Sequence, residues 1–120
     1  MISKEFNNLI DTLKLCLKRS DDLRLPKYKG RNYLVGHCYV ASEAFYHLIN
    51  GSENGWRPMF IMHEGNSHWF LQNGSSIIDI TAKQFKSPVP YFRARGKGFL
   101  TKEPSKRAKI LMERINEENN

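Results

Sequence analysis

Three residues in the middle of the chain carry side chains suited to nucleophilic catalysis: Cys38, His68 and Asp79. A thiol attacks as the thiolate, so it needs a base that takes its proton, and an imidazole base needs a polar partner that orients it. The sequence Gly36-His37-Cys38 opens a predicted helix, and the free N–H groups and dipole of a helix N-terminus stabilise a thiolate. We therefore expect Cys38 to be the nucleophile, His68 its base and Asp79 the orienting group.

His68 and Asp79 are predicted to be neighbours because they lie on two strands joined by a tight turn. Asn73-Gly74 is a strong signal for a two-residue type I′ turn, in which both central residues need positive φ. That turn pairs position 68 directly with 79, with Cβ atoms about 4.5–5.5 Å apart on one face. A longer loop, 73–76, would instead pair His68 with Thr81 and leave Asp79 on a diagonal of the same face.

Other interpretations of these residues stay open. A cysteine at a helix start is more often buried and inert, and a cross-strand His–Asp pair at the surface contributes little. His63, five residues before His68, is a rival base. Zinc could be bound by Cys38, His63, His68 and Asp79, although no close-spaced ligand pair is present. The chain has no GxxxxGK[ST], GxGxxG or HExxH motif.

Hydrophobic periodicity predicts the helices that position these residues. Apolar residues at helical spacing predict an amphipathic helix over about 3–19, with Ser3 as its N-cap, and a second helix over Cys38–Asn50. A third, basic helix is expected over about 105–116. The segment Asp21–Gly36 is predicted to be a long loop.

The middle of the chain is predicted to form strands. Arg57–Glu64, Ser67–Gln72 and Ser75–Thr81 are rich in β-branched and aromatic residues or alternate in polarity, and a short turn at Ala82–Phe85 follows them. Helix, helix, antiparallel sheet and helix in this order indicate an α+β fold.

Length and composition limit the class of protein. The 120 residues suit a single domain, 1–120, with a core over about 30–100, and 40% hydrophobic with 26% charged residues exclude a disordered or collagen-like chain. No apolar run is long enough to span a membrane, and no signal peptide is evident. Two cysteines make no disulfide framework, so we expect a cytoplasmic protein. These features would also suit a phage or mobile-element accessory protein.

The net charge of +7 is concentrated in one segment. Nine Lys and Arg residues and a single acid between Lys83 and Lys109 give this segment a charge of +8, which leaves −1 on the rest. Such a segment favours an acidic partner, either an acidic substrate or, in a non-enzymatic alternative, nucleic acid or an acidic protein. A solvated lysine-rich surface is the simpler interpretation. The residues expected to bind the acidic partner are Lys83, Lys86, Arg93, Arg95 and Lys97.

The order Cys, His, Asp resembles the papain-like cysteine peptidase and amidase superfamily, whose small members include transglutaminase-like, NlpC/P60-like and bacteriocin-processing branches. GHCYVASEAF resembles the nucleophile helix, and SHWFLQNGSSIIDIT resembles the His strand, turn and Asp strand. The resemblance covers roughly Asn32 to Phe85. It implies a papain-like minimal core, with the nucleophile helix packed on an antiparallel sheet and flanking N- and C-terminal helices. The implied activity is a cysteine hydrolase or acyltransferase acting on an amide, ester or thioester bond, with no cofactor or metal.

The resemblance also implies further site residues. Many superfamily members complete the oxyanion hole with a polar side chain upstream of the cysteine, and Asn32 stands six residues before Cys38. The backbone N–H of Cys38 would be the other donor. His37 and Trp69 are expected to line the substrate pocket. His37 and Tyr39-Val40 replace the Asp and Ser-Gly that flank the cysteine of NlpC/P60 enzymes, so we do not expect peptidoglycan cleavage. A papain-like fold that has lost catalysis and acts as a decoy or inhibitor is a further alternative.

Overall fold

The chain forms three α-helices and a four-stranded antiparallel sheet within residues 4–119, which are the residues that the computed structural model describes. The predicted α+β class is confirmed. The elements in chain order are α1 (Lys4–Lys18), α2 (Cys38–Leu48), β1 (Arg57–His63), β2 (Asn66–Asn73), β3 (Ser76–Ile78), β4 (Arg95–Gly96) and α3 (Lys106–Glu118).

The helices follow the predicted spans closely, although α2 ends two residues earlier and α3 two residues later than expected. Ser3, the predicted N-cap of α1, lies outside the described residues. Apolar stripes of the three helices meet in one core that also receives side chains from the sheet. This core includes Leu13, Leu17, Ala44, Phe45, Leu71, Ile78, Leu111 and Ile115. Within residues 4–119, no helix combines the length and the apolar character that crossing a membrane requires.

The sheet has the strand order β3-β2-β1-β4, and side chains alternate between its two faces. Leu71 of β2 belongs to the core formed with the helices. Phe70 points to the opposite face, where it packs with Met59 and Ile61 of β1 and with Val89 from the loop after the sheet. The very short strand β4 was not predicted, because two residues in a basic segment carry no strand pattern.

The hairpin between β2 and β3 differs from the expected one. Leu71 pairs with Ile78 and Asn73 pairs with Ser76, so the turn residues are Gly74-Ser75. Only Gly74 has positive φ (60°), as in a type II′ turn, and the predicted type I′ turn is wrong. Asn73 stays in the strand, where its side-chain amide donates to the Asn54 carbonyl at 3.0 Å. The register is the alternative one, which puts Asp79 on a diagonal from His68.

Strand β3 ends at Ile78, three residues earlier than predicted, and leaves one edge of β2 unpaired at Ser67–Trp69. Helix α2 lies against this edge. Ser42 Oγ donates to the Trp69 carbonyl at 3.1 Å, and Cys38 Sγ, one turn earlier, donates to the Ser67 carbonyl at 3.7 Å. The shortened strand therefore brings the start of α2 beside the residues around position 68.

A buried carboxylate joins α2 to α3. Glu43 is fully buried, and its two oxygens accept hydrogen bonds from the backbone N–H of Ser105 at 2.8 Å and from the Ser105 hydroxyl at 2.7 Å. Ser105 is also the N-cap of α3, since its Oγ accepts from the N–H of Ala108 at 3.2 Å. One side chain thus caps a helix and satisfies a buried charge.

We predict that Ser105→Ala destabilises the fold. The substitution removes the cap and one of the hydrogen bonds to the buried Glu43 carboxylate, so we expect the free energy of unfolding to fall by about 1–3 kcal/mol. Urea denaturation followed by circular dichroism measures this. The exposed Ser52→Ala variant is the control and should unfold at the wild-type midpoint. Equal midpoints for both variants would contradict the role given to Ser105.

Candidate active site

Cys38 is the first residue of α2, as predicted, and its side chain is half-buried rather than enclosed. Gly36 makes the sharp entry to the helix with φ of 81°, and a Cβ at that position would lie 2.5 Å from the Tyr28 ring. The helical ladder begins with the Ala41 N–H, which donates to the His37 carbonyl at 2.8 Å. The N–H of Cys38 precedes that bond and belongs to the first turn, whose N–H groups have no acceptor within the helix.

His68 and Asp79 form a buried pair. His68 Nε2 donates to Asp79 Oδ2 at 2.7 Å, and the side chains are 0% and 4% exposed. His68 lies on the Phe70 face of β2, and Phe85 packs edge-on against its ring with 4.8 Å between ring centroids. Asp79 directly follows β3 and reaches the imidazole from the diagonal position. The predicted neighbourhood of these two residues is therefore observed, although by the alternative register.

The second ring nitrogen of His68 is left free. Nδ1 is buried and has no hydrogen-bond partner among residues 4–119, and the Cys38 thiol beside the ring donates to the Ser67 carbonyl instead. Burial of the ring lowers the pKa of His68, but the hydrogen bond and charge of Asp79, together with the neighbouring Cys38, outweigh it and raise this pKa to about 9. A pKa above neutrality favours the form of His68 that carries a proton on both ring nitrogens.

Tyr91 is a part of the site that sequence reasoning missed. Its hydroxyl donates to Asp79 Oδ2 at 2.8 Å, so this one oxygen accepts from both Tyr91 and His68. Burial and the negative charge of Asp79 raise the pKa of Tyr91 well above its ordinary value, which keeps the hydroxyl a donor. The ring packs on Phe70 with 4.9 Å between centroids. Tyr91 begins the short 3₁₀ turn Tyr91–Arg93, where no periodic pattern in the sequence indicates the direction of its side chain.

A cleft of about 300 Å³ opens beside Cys38. Trp69 lines it, as expected, and so does Gln84, which follows the Asp79 segment in a short 3₁₀ turn and donates to Thr81 Oγ1 at 2.9 Å. The other side chains around the cleft are mainly apolar or aromatic with two cations. They include Leu25, Lys27, Tyr28, Tyr39, Leu100 and Arg107.

Two predicted pocket residues lie elsewhere. Asn32 is exposed, and its Oδ1 accepts from the N–H of Leu34 at 3.0 Å, so its amide closes a local turn and does not line the cleft. His37 is fully buried, with its ring nitrogens against the carbonyl oxygens of Tyr33 and Ser20. Burial lowers the pKa of His37. The expectation that both residues line the pocket is wrong, because each is engaged by the backbone of the loop before α2.

His63 is not placed to act as the base for Cys38. Its Nε2 lies 3.2 Å from the Ser87 carbonyl and 3.7 Å from Glu64, and its ring does not line the cleft. Between Lys4 and Asn119 no three His, Cys, Asp or Glu side chains are arranged to hold a metal ion. The zinc alternative therefore has no geometric support.

The predicted binding residues of the basic segment are exposed but do not line the cleft. Lys97 comes nearest, since its ammonium lies 5.8 Å from the centroid of Trp69 and 4.7 Å from that of Phe60. Arg95 also lies over Phe60, at 5.6 Å. The exposed set is Lys83, Lys86, Arg93, Arg95 and Lys97.

Comparisons of this chain with protein-family models, with curated proteins and with solved structures found no match. The site is therefore interpreted from its own geometry.

We predict that the His68 imidazole titrates near pH 9, because Asp79 stabilises its charged form. Long-range ¹H–¹⁵N NMR spectra of the imidazole nitrogens measure this directly. Asp79→Asn should lower the pKa of His68, because burial of the ring lowers this pKa and the carboxylate that raises it is then absent. Tyr91→Phe removes a neutral donor to the same oxygen and should leave the titration at or above the wild-type value.

The same shift makes stability depend on pH. The pKa of His68 is about 9 in the folded protein, against about 6.5 for an unfolded histidine. The imidazolium therefore contributes its full stabilisation below about pH 6.5, and that contribution is lost as the pH rises through about 9. A His68 titration near the ordinary histidine value would contradict this account of the pair.

Proposed function

We propose that this protein is a cysteine-dependent hydrolase or acyltransferase with a papain-like minimal core. Cys38 would be the nucleophile, His68 the acid and base, and Asp79 the group that orients the imidazole. The proposal depends on one observation: a buried His68–Asp79 pair at 2.7 Å beside a half-exposed cysteine that begins a helix. Both cysteines are free thiols, which suits a reducing cytoplasm.

In the proposed reaction the resting state is a thiolate–imidazolium pair, in which the Cys38 proton has already passed to His68 Nδ1, the ring nitrogen that has no other partner. A thiolate no longer donates to the Ser67 carbonyl, so it turns towards the imidazolium. It then attacks the carbonyl carbon of an amide, ester or thioester, and the carbonyl π electrons move to the oxygen. His68 returns the proton to the leaving nitrogen, oxygen or sulfur as its bond to carbon breaks. Water or an amine, deprotonated by His68, finally attacks the thioester carbonyl carbon, and the Cys38 thiolate leaves as the acyl group is released, which restores the thiolate–imidazolium pair.

The oxyanion formed during attack needs donors that are in place beforehand. The N–H of Cys38 lies in the first turn of α2, before the helical ladder begins. We assign the second donor to Gln84 in place of Asn32, because the Gln84 amide lines the cleft with Cys38 and uses only one hydrogen bond to Thr81.

Tyr91 acts as a positioning residue in this scheme. Its hydroxyl and His68 Nε2 share one oxygen of Asp79, so Tyr91 fixes the rotation of the carboxylate and thereby the ring. With Nε2 engaged, the imidazole presents Nδ1 to the cysteine.

We predict that iodoacetamide alkylates Cys38 rapidly well below pH 8, because a neighbouring imidazolium stabilises the thiolate. Mass spectrometry separates Cys38 from Cys16, which is buried and whose pKa is raised by that burial, so Cys16 serves as an internal control. His68→Gln should move the alkylation profile of Cys38 towards that of an ordinary thiol with pKa about 8.5. An ordinary profile in the wild type would contradict the thiolate–imidazolium pair.

Acylation of Cys38 forms an oxyanion and alkylation does not, so comparing the two reactions tests oxyanion binding separately from activation of the thiol. With p-nitrophenyl acetate, the wild type should form an acetyl adduct on Cys38 and release nitrophenolate, whereas Cys38→Ala should do neither. Gln84→Leu should slow acylation by about 10²–10³-fold if the side chain donates to the oxyanion. It should leave iodoacetamide alkylation unchanged, since that reaction forms no oxyanion. Asn32→Ala is the matched control and should acylate at the wild-type rate.

A second candidate function is nucleic-acid binding by the basic segment. Phe92 is 83% exposed with the Arg93 guanidinium 5.4 Å from its centroid, and Arg95 and Lys97 lie over Phe60. Exposed aromatic rings beside cations suit stacking on unpaired bases.

This second function predicts that single-stranded DNA binds with an affinity that falls with salt by a log–log slope of about −0.7 per neutralised phosphate. Fluorescence anisotropy would measure it. The double variant Arg95→Gln/Lys97→Gln should bind more weakly, and Lys4→Gln on α1, which removes an exposed charge outside the basic segment, should bind normally. Absent or salt-insensitive binding would exclude this function.

A further inference from the structure

The charged side chains that line the cleft beside Cys38 are all positive. Two of its lining side chains, Lys27 and Arg107, are cations, and none of the side chains that line it is an Asp or Glu. Lys27 belongs to the 3₁₀ turn Pro26–Tyr28 and Arg107 to the first turn of α3, so the two charges reach the cleft from separate elements. Arg107 belongs to the basic segment Lys83–Lys109, but neither cation is among the five residues expected to bind the acidic partner.

The two cations of this cleft have no ion-pair partner among residues 4–119. The ion pairs of residues 4–119 engage other cations, such as Arg24 with Asp21 and Arg114 with Asp22. Glu43, the acid close to Tyr39, is fully buried, accepts two hydrogen bonds from Ser105 and does not line the cleft. Lys27 and Arg107 form no ion pair within 4 Å in the described part of the chain.

Arg107 is held in place without losing its ability to bind an anion. One terminal nitrogen donates to the Leu23 carbonyl at 2.7 Å, which anchors the half-buried side chain. A guanidinium has five N–H donors, so the others remain for a ligand. Tyr39, the residue that follows Cys38, lines the same cleft as Arg107.

The size and lining of the cleft limit what enters it. About 300 Å³ is at the lower end of the range for small-molecule sites, so one or two residues of a peptide fit rather than a long polymer. Leu25, Tyr39 and Leu100 provide apolar contacts for an aliphatic stem. An aliphatic stem that ends in an anion matches both the apolar lining and the two cations.

We infer that the cleft selects a substrate whose acyl portion carries a carboxylate, as in a peptide with an acidic side chain beside the bond to be cleaved. Lys27 and Arg107 bind the carboxylate, and Leu25, Tyr39 and Leu100 contact the stem. This inference rests on the proposed function for the identity of the reaction, but the charge selection itself is testable on the thiol alone.

The test compares iodoacetate with iodoacetamide, two reagents of similar size that alkylate the same sulfur and differ in one negative charge. The ratio of their rate constants at Cys38 in the folded protein is divided by the ratio at Cys38 in urea. We expect the folded protein to favour iodoacetate, and Lys27→Gln and Arg107→Gln each to lower this preference roughly two- to fivefold, as for a partly exposed charge pair. The preference should shrink as salt is added.

Lys109→Gln is the matched control, because it removes the same charge from an exposed position on α3 outside the cleft. If it lowers the preference as much as Arg107→Gln, a diffuse field is responsible and the inference is wrong. No preference in the wild type also overturns it. Lys27 lies on an exposed turn, so Lys27→Gln keeps the test valid if Arg107→Gln fails to fold.

A second measurement distinguishes carboxylate from phosphate. Glutarate should protect Cys38 from iodoacetamide at lower concentration than inorganic phosphate does, and stronger protection by phosphate would overturn the choice of carboxylate. Failure of the proposed function is separate. If Cys38 shows the alkylation pH profile of an ordinary thiol but still prefers iodoacetate, the proposed nucleophile is wrong and the anion-selective cleft stands.

Discussion

Removing an imidazole and a carboxylate from water is unfavourable unless each finds partners, and His68 and Asp79 are both almost fully buried. They satisfy each other at 2.7 Å, Tyr91 adds a second donor to Asp79, and Phe70 and Phe85 pack around the ring. Two polar atoms, His68 Nδ1 and Asp79 Oδ1, still lack partners in the described part of the chain. The unpaired Nδ1 of His68 is the atom that holds the Cys38 proton in the proposed reaction.

The position of the His68–Asp79 pair beside α2 depends on the residue at which strand β3 ends. The turn at Gly74-Ser75 sets a register in which β3 pairs with only the last residues of β2, and the freed edge is covered by α2. Cys38 and Ser42 donate to carbonyl groups of that edge, one helical turn apart. A longer β3 would occupy the same edge and exclude the helix start. Helix α2 and the His–Asp pair are therefore positioned by one feature of the hairpin.

Charge is distributed on two surfaces with different geometry. The exposed cations of the basic segment, with Phe60 and Phe92 beside some of them, lie outside the cleft and suit an extended anionic partner. Lys27 and Arg107 both line the cleft beside the thiol. Electrostatic attraction is stronger where water is partly excluded, so we expect the half-buried Arg107 to contribute more selectivity than the fully exposed cations.

The sequence by itself determined the helices, the strands of the hairpin, the start of α2 at Cys38 and the approach of His68 to Asp79, because each follows from local periodicity and from a turn signal between adjacent strands. It misjudged the hairpin register by two residues, and the side-chain parity of a strand kept His68 and Asp79 on one face regardless. Tyr91, Gln84, Lys27 and Arg107 lie in loops or on a distant helix, and Asn32 and His37 are drawn away by backbone hydrogen bonds in the loop before α2. Only the tertiary structure decided these positions, since no short-range pattern encodes the direction in which a loop side chain points or which distant segment packs against it.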